Sequence, residues 1–280
     1  MNRLSAITML ACGLMVGVPA AQAADVIEEP IYVEPVPPAP DTSGWYIRGD
    51  VGYVFKSKTS GDYYFYNIPN PGIDSHEVYD SIELQDTASF GGGLGYRFNE
   101  YLRTDATLDY FRTDVEGSSE CSYLVEIGYG LDPVDNDCGY DDQAKADVWL
   151  AMANAYVDIG HFGMVTPYIG AGIGAAYVDY DDMTSTISCN GAACDASGIY
   201  SSTQPGESSW RFASSLMAGA TFDITQQLKL DAGYRYTRIN GGDAFGYDDE
   251  DAAAGASGVQ GHDDGFDIHQ VRAGLRYEFF

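Results

Sequence analysis

The sequence predicts an all-β protein whose strands form a membrane-spanning, antiparallel up-and-down barrel of eight strands. Beyond its N-terminus the 280-residue chain has no apolar run long enough to cross a bilayer as a helix. Segments of about ten residues alternate instead between apolar and polar side chains, as strands of membrane barrels do. The connections between these segments alternate between long and short, which is typical of membrane barrels with long loops on one side and short turns on the other.

Three regions follow one another along the chain. Residues 1–23 have the pattern of a secretory signal peptide: Arg3 precedes an apolar stretch that ends in the small-x-small sequence of residues 21–23. We therefore expect export and a mature chain that begins at Ala24. Residues 24–42 alternate prolines with glutamates, so they are predicted to form an extended periplasmic tether, and residues 43–280 are predicted to form the barrel.

The first four predicted strands span residues 45–55, 87–98, 101–113 and 148–160. In the first strand, Trp45 and Ile47 lie on one face, whereas Arg48 and Asp50 lie on the other. The third strand separates its apolar and acidic residues in the same way. This alternation fits strands with one face toward lipid and the other toward the lumen.

The last four predicted strands span residues 165–180, 210–224, 228–239 and 266–280. They repeat the pattern; Leu230 and Tyr234, for example, alternate with Asp231 and Arg235. Residues 56–86, 114–147, 181–209 and 240–265 are the long connections, which we expect to be extracellular loops. The short connections at residues 99–100, 161–164 and 225–227 are expected to be periplasmic turns.

Charged side chains occupy the polar face of these strands. A charge that faced lipid at the middle of the bilayer would cost about 2–4 kcal/mol, so we expect all of them to face the lumen. The lumen of an eight-stranded barrel is just wide enough for side chains to fill it, so opposite charges should pair and close it. A wide porin is therefore disfavoured, and a narrow channel stays open as an alternative. The predicted charge network comprises Arg48, Asp50, Arg97, Arg103, Asp105, Asp109, Asp158, Lys229, Asp231, Arg235, Arg272, Arg276 and Glu278.

Four stretches of sequence resemble a known family. Residues 272–279 resemble the C-terminal assembly signal of outer-membrane barrels, and residues 44–47, 166–172 and 230–236 are similar to segments of small OmpA-like barrels of alphaproteobacteria. This resemblance implies location in the outer membrane of a Gram-negative bacterium. It also implies that Gly274, Tyr277 and Phe279 engage the barrel-assembly machinery, and that the protein is a monomer in contact with lipid and lipopolysaccharide. Some similar barrels are joined to peptidoglycan through an N-terminal Ala-Asp, which makes Ala24 a candidate for such a link.

Four cysteines survive removal of the signal peptide. Cys121 and Cys138 lie in one long connection, and Cys189 and Cys194 lie in another. Four cysteines allow three connectivities. Pairing within each connection closes the shorter rings, so we expect two disulfides that staple the loops in an oxidising compartment. The sequence has no Cys-His zinc spacing, so no metal site is predicted.

Neither catalysis nor nucleic-acid binding is expected. The four histidines form no local Ser-His-acid set, so we predict that the protein is not an enzyme and holds no cofactor. A formal net charge of −28 disfavours nucleic acid as a partner. Acidic runs such as residues 248–251 are interpreted as solvated, repulsive surface, with loose binding of divalent cations as the alternative.

The leading functional prediction is a structural, surface-exposed barrel that contributes to the integrity of the envelope. Because some similar barrels bind hemin, a hemin- or ligand-binding surface is one alternative. In that case His76 and His262, with Tyr63, Tyr64 and Tyr79, are the candidate axial ligands. A narrow small-solute channel is the other alternative.

Overall fold

The structure is a computed structural model that describes residues 43–68, 73–132, 137–195 and 198–279. The predicted signal peptide, the tether, Ala24 and Phe280 lie outside the described residues. The strands are β1 (Gly44–Val54), β2 (Ser57–Tyr66), β3 (Ile73–Leu84), β4 (Thr87–Arg97), β5 (Leu102–Glu120), β6 (Cys138–Asp158), β7 (Val165–Tyr180), β8 (Met183–Cys189), β9 (Tyr200–Gln204), β10 (Ser208–Asp223), β11 (Leu228–Gly246) and β12 (Val259–Glu278). Two short helices, α1 (Tyr123–Gly128) and α2 (Asp249–Ala254), accompany them. No helix among the described residues is long and apolar enough to cross a bilayer.

Eight strands close into a ring. In spatial order they are β1, β4, β5, β6, β7, β10, β11 and β12, and β12 pairs with β1 to complete the barrel. Every pairing in the ring is antiparallel. Each predicted strand overlaps one ring strand, so the prediction of an eight-stranded up-and-down barrel is confirmed.

The long connections contain more regular structure than the sequence predicts. The connection at residues 56–86 forms the β2–β3 hairpin, and the one at residues 181–209 contains β8 and β9. Four ring strands also extend beyond their predicted ends; β6, for example, begins at Cys138 rather than at residue 148. The outward-facing residues of the added segments are mostly polar, such as Asp141, Gln143 and Lys145 of β6, so the apolar alternation that marks a membrane strand is missing there.

Two girdles of aromatic side chains bound the membrane-spanning part. Phe90, Tyr110, Trp149, Tyr177 and Trp210 are register partners on five consecutive ring strands. The rings of Tyr110 and Trp149 lie 4.6 Å apart, centre to centre. The second girdle, at the end with the short turns, comprises Trp45, Tyr96, Phe98, Tyr277 and Phe279. Aromatic residues favour membrane interfaces, so the girdles mark the two surfaces of the bilayer.

The core of the protein lies inside the barrel and has two layers. The layer near the short turns is polar and contains buried arginine and carboxylate side chains of the ring strands. The layer toward the long connections is an apolar cluster, in which Val54, Phe111, Leu150, Ile239 and Ile268 are each at most 4% exposed.

Candidate functional site in the barrel lumen

The strand alternation directs most of the predicted charge network into the lumen. Twelve of its thirteen residues are at most 9% exposed. The twelve are six arginines and six carboxylates, so their formal charges cancel. Lys229 is the exception: it lies half-buried near a short turn, and its ammonium pairs with Asp223 at 2.8 Å. These twelve residues are called the lumen network below.

One branch of the network lies next to the apolar layer. Asp50 forms ion pairs with Arg48 at 2.7 Å and with Arg272 at 3.0 Å. Arg272 also reaches Asp109 at 3.1 Å, and Arg235 pairs with the same carboxylate at 2.7 Å. These residues come from β1, β5, β11 and β12, so the branch crosses the lumen from one wall to another.

Asp105 on β5 is the most heavily bonded carboxylate of the lumen. It accepts hydrogen bonds from Arg48 at 2.9 Å, Asn154 at 2.8 Å, Tyr46 at 3.2 Å and Tyr156 at 3.4 Å. A buried carboxylate without partners would be costly. These four donors, which come from β1 and β6, offset that cost and bind three strands to one another.

A second branch lies nearer the short turns. Arg97 bridges Asp158 at 3.3 Å and Glu278 at 2.9 Å. Arg276 continues the chain, because it pairs with Glu278 at 2.6 Å and with Asp231 at 3.1 Å. The branch therefore joins the first strands of the barrel to the last, where the ring closes.

Arg103 fills the space between two tyrosine rings. Its guanidinium carbon lies 4.2 Å from the centre of the Tyr156 ring and 4.7 Å from that of Tyr168. Its Nε atom pairs with Asp158 at 3.2 Å, and the residue is fully buried. Cation–π contacts of this kind stabilise a desolvated arginine.

Glycines on the facing strands make room for these large side chains. A Cβ atom at Gly274 would overlap the carboxylate of Asp50, and one at Gly95 would overlap the ring of Tyr46. Gly274, which the sequence assigns to the assembly signal, therefore also has a packing role inside the lumen. Tyr277 and Phe279, the other two residues of that signal, lie exposed on the lipid face with ring centres 5.3 Å apart.

The apolar layer is the part of the lumen that the sequence analysis missed. On β6 the layer includes Val148, Leu150 and Met152, and all three are at most 4% exposed. Their neighbours Trp149 and Ala151 are also apolar, so this stretch has no polar face. A strand that is apolar on both faces is expected where lipid lies on one side and a packed core on the other, and this signal could have revealed the layer.

The cysteines pair as predicted. The Cα atoms of the Cys121–Cys138 disulfide lie 5.5 Å apart, and those of the Cys189–Cys194 disulfide 4.8 Å apart. Cys138 and Cys189 are register partners on β6 and β8, so the two disulfides lie side by side.

His76 and His262 lie on one outward face of the extracellular sheet, on either side of Tyr64. The centre of the Tyr64 ring is 5.1 Å from that of His76 and 6.5 Å from that of His262. Each imidazole also has an acidic neighbour: Nε2 of His76 lies 2.7 Å from Asp62, and Nε2 of His262 lies 3.4 Å from Asp243.

Tyr63 and Tyr79 do not join this group, so that part of the prediction is wrong. Their rings pack against each other at 4.9 Å, and Tyr79 is 5% exposed within the apolar cluster. Successive residues of a strand point to opposite faces, which separates Tyr63 from Tyr64.

Comparison with known proteins gives one family. A model of the outer membrane protein beta-barrel domain matches residues 8–279. An uncharacterized protein of Brucella suis biovar 1 is 51% identical over 291 residues, across 100% of both chains. The outer membrane protein PagN of Salmonella typhimurium is 28% identical over 160 residues, which cover 55% of this chain and 58% of PagN. The crystal structure of Neisserial surface protein A is 17% identical with a TM-score of 0.42, and the match covers 84% of this chain and 97% of that one.

Proposed function

The chain belongs to the outer membrane protein beta-barrel domain family, and from this premise we propose that it is a structural, surface-exposed barrel that contributes to the integrity of the envelope. Its place is the outer membrane of a Gram-negative bacterium. The proposal is supported by the contents of the lumen, where buried arginines and carboxylates whose formal charges cancel lie beneath an apolar layer. In this function the side chains inside the barrel block the lumen and hold the eight strands together.

The packing of the lumen supports a closed barrel rather than a channel. The cavity where the two layers meet, lined by Asp109, Phe111, Leu150 and Arg235 among others, holds about 10 Å³. That volume is about enough for one water molecule. A passing solute would have to separate several buried ion pairs, and a buried charge left without its partner costs about 3–5 kcal/mol.

The proposed partners are those of an embedded barrel. The exposed aromatic girdles favour contact with lipid, and the strands above them favour contact with lipopolysaccharide. Gly274, Tyr277 and Phe279 would engage the barrel-assembly machinery during insertion. We propose a monomer without catalytic activity; His161, in a short turn, bonds to Thr166 at 2.7 Å and has no catalytic role in this proposal.

Two measurements test the proposal. Single-channel recording on the protein in planar bilayers should give no stable conductance, and a steady conductance of porin size would contradict the closed lumen. Deletion of the gene should increase uptake of a hydrophobic fluorescent dye by intact cells, and plasmid-borne wild-type protein should reverse it. Unchanged uptake would contradict a role in envelope integrity.

One observation favours a second candidate function, hemin binding. His76 and His262 share an outward face with Tyr64, and imidazole and phenolate are both axial ligands of haem iron. A carboxylate beside a ligating imidazole is a common arrangement, and Asp62 fills that place at His76. Titration with hemin should then shift its absorbance band in the wild type but not in a His76→Ala/His262→Ala variant. An unchanged hemin spectrum with the wild type would remove this candidate.

A further inference from the structure

The extracellular end of the barrel contains a pocket that the proposed function does not use. It lies above the apolar layer, between the β2–β3 hairpin, β6, β8, α1 and α2, and has a volume of about 420 Å³. This is the size of many small-molecule sites. Six tyrosines line it, and we call it the tyrosine pocket: Tyr63, Tyr66, Tyr79, Tyr129, Tyr140 and Tyr200.

A buried carboxylate lies at the base of the tyrosine pocket. Asp142 on β6 is only 4% exposed, and it bonds to Ser185 on β8. Its Oδ1 atom is buried and has no hydrogen-bond partner within the described part of the chain. A buried carboxylate oxygen without a partner is costly, so this atom marks a place where a ligand would be stabilised.

The remaining charges of the pocket are also negative. Asp248, Glu250 and Asp251 line its rim. None of the described residues that line the pocket is a lysine, an arginine or a histidine. The site therefore has a negative potential with no internal cation to balance it.

These observations together select a class of ligand. Aromatic faces attract cations, and they do so best when the cation is poorly hydrated and carries apolar surface. A bare metal ion would need several oxygen ligands at close range, which walls of tyrosine rings do not supply. We propose that the tyrosine pocket binds a small organic cation with an alkylated ammonium group, held by the tyrosine rings and neutralised by Asp142. Binding in this pocket does not depend on the closure of the lumen.

The two disulfides hold the walls of the pocket in place. Cys138 and Cys189 form one apolar cluster with residues that also line the pocket, including Tyr129, Tyr140 and Ile187. A site that is already formed loses less conformational freedom when the ligand binds. Reduction of the disulfides should therefore weaken binding.

Binding should also depend on pH through Asp142. Burial and the neighbouring Asp141 raise the pKa of this carboxyl to about 6, and the hydrogen bond from Ser185 opposes part of the rise. Affinity for a cation should therefore increase as the pH rises from about 5 to about 7.5 and Asp142 loses its proton. The titratable side chains packed near Asp142 are Tyr63, Tyr79 and Tyr140, whose pKa values are raised and which stay neutral over this range.

A second acid titrates in the same range. Burial and the nearby Asp248 and Glu250 raise the pKa of Asp251 to about 6. The phenol of Tyr247, which also lies close to Asp251, has a raised pKa and stays neutral. An Asp142→Asn variant should therefore keep part of the pH dependence, and an Asp142→Asn/Asp251→Asn variant should lose it.

The test uses the full mature chain folded in a maltoside detergent, because detergents with choline head groups would compete. Calorimetric titration with choline should show saturable binding. The neutral molecule of the same shape, 3,3-dimethylbutan-1-ol, should bind at least about tenfold more weakly. Absence of saturable choline binding up to about 10 mM, or equal binding of the neutral molecule, would overturn the proposal.

Matched variants locate the site. Asp142→Asn should weaken choline binding by about tenfold, whereas Asp141→Asn, which removes the same charge from the outward face of the same strand, should change it by less than about threefold. Tyr140→Phe should retain affinity because it keeps the aromatic ring, and Tyr140→Leu should lose it severalfold. Each variant is verified as folded on gels, where its heated sample should migrate more slowly than its unheated sample. Equal effects of the two aspartate variants would place the binding outside the pocket and overturn the assignment.

Discussion

Arg276 and Asp231 lie side by side in the lumen and are joined by two parallel hydrogen bonds. Nε and Nη2 of the guanidinium donate to the two carboxylate oxygens at 3.1 and 3.3 Å. Both residues are at most 3% exposed. This bidentate geometry fixes the orientation of both groups, and it joins β11 to β12 inside the barrel.

Removal of Asp231 should destabilise the barrel strongly. In an Asp231→Ala variant, Arg276 would keep Glu278 but lose its bidentate partner in a buried site, which should cost about 3–5 kcal/mol of unfolding free energy. Lys229→Ala, two residues away, is the matched control; its pair with Asp223 is half-exposed and should be worth less than about 1 kcal/mol. Urea unfolding of the protein in lipid vesicles, followed by tryptophan fluorescence, measures both. Similar losses in the two variants would contradict a stabilising lumen network.

Gly274 should tolerate no side chain. The added Cβ of Gly274→Ala would overlap Asp50 and move it away from Arg48 and Arg272, so the folded fraction should fall. Gly49→Ala is the control, because a Cβ at Gly49 has no atom within 4 Å. The folded fraction is read from unheated samples on gels. If Gly49→Ala had the larger effect, the role of Gly274 in packing would be refuted.

The two C-terminal phenylalanines should differ in assembly. The ring of Phe279 contacts that of Tyr277 on the lipid face, and its backbone N–H donates to the carbonyl of Trp45 at 3.0 Å. Phe279→Ala keeps this backbone hydrogen bond but removes the ring contact, so it should lower the amount of folded outer-membrane protein more than Phe280→Ala does. Immunoblots of outer-membrane fractions compare the two. Equal effects would indicate that the assembly signal is shifted by one residue.

We predict that the amino group of Ala24 is joined covalently to peptidoglycan. An extended polyproline chain rises about 3 Å per residue, so a tether of residues 24–42 could reach across several tens of ångströms of periplasm. After muramidase digestion of purified sacculi, mass spectrometry should find the peptide that begins at Ala24 joined to a muropeptide. Recovery of only the unmodified peptide would leave the barrel anchored by lipid alone.

The sequence predicts the membrane-spanning part of the fold well, because lipid and lumen impose opposite polarity on alternate residues. Arg48 and Asp50 lie inside, and Ile47 and Val51 lie outside, as the pattern requires. On the extracellular side of the girdle that contains Trp149, the strands no longer face lipid, so this constraint on polarity ends there. In β6 both faces of residues 139–143 are mostly polar, so no alternation identifies a strand there.

The tyrosine pocket could not be predicted from the sequence for a different reason. Tyr63, Tyr140 and Tyr200 come from three separate connections, and they meet only because the extra strands bring them together. Asp142 belongs to an acidic run that is interpreted as solvated surface, whereas its side chain points inward and its neighbour Asp141 points outward. Only the register of β6 against β8 distinguishes the two.

The extension of the strands above the membrane also determines what an antibody raised against this protein would recognise. From Trp149 to Cys138, β6 continues for about 35 Å at 3.3 Å per residue, hydrogen-bonded to β5 along one edge and to β7 and then β8 along the other. The outermost surface is therefore a hydrogen-bonded sheet assembled from distant parts of the chain. Antibodies raised against the folded protein should recognise epitopes of this kind, and a linear peptide taken from residues 114–147 should compete with them poorly.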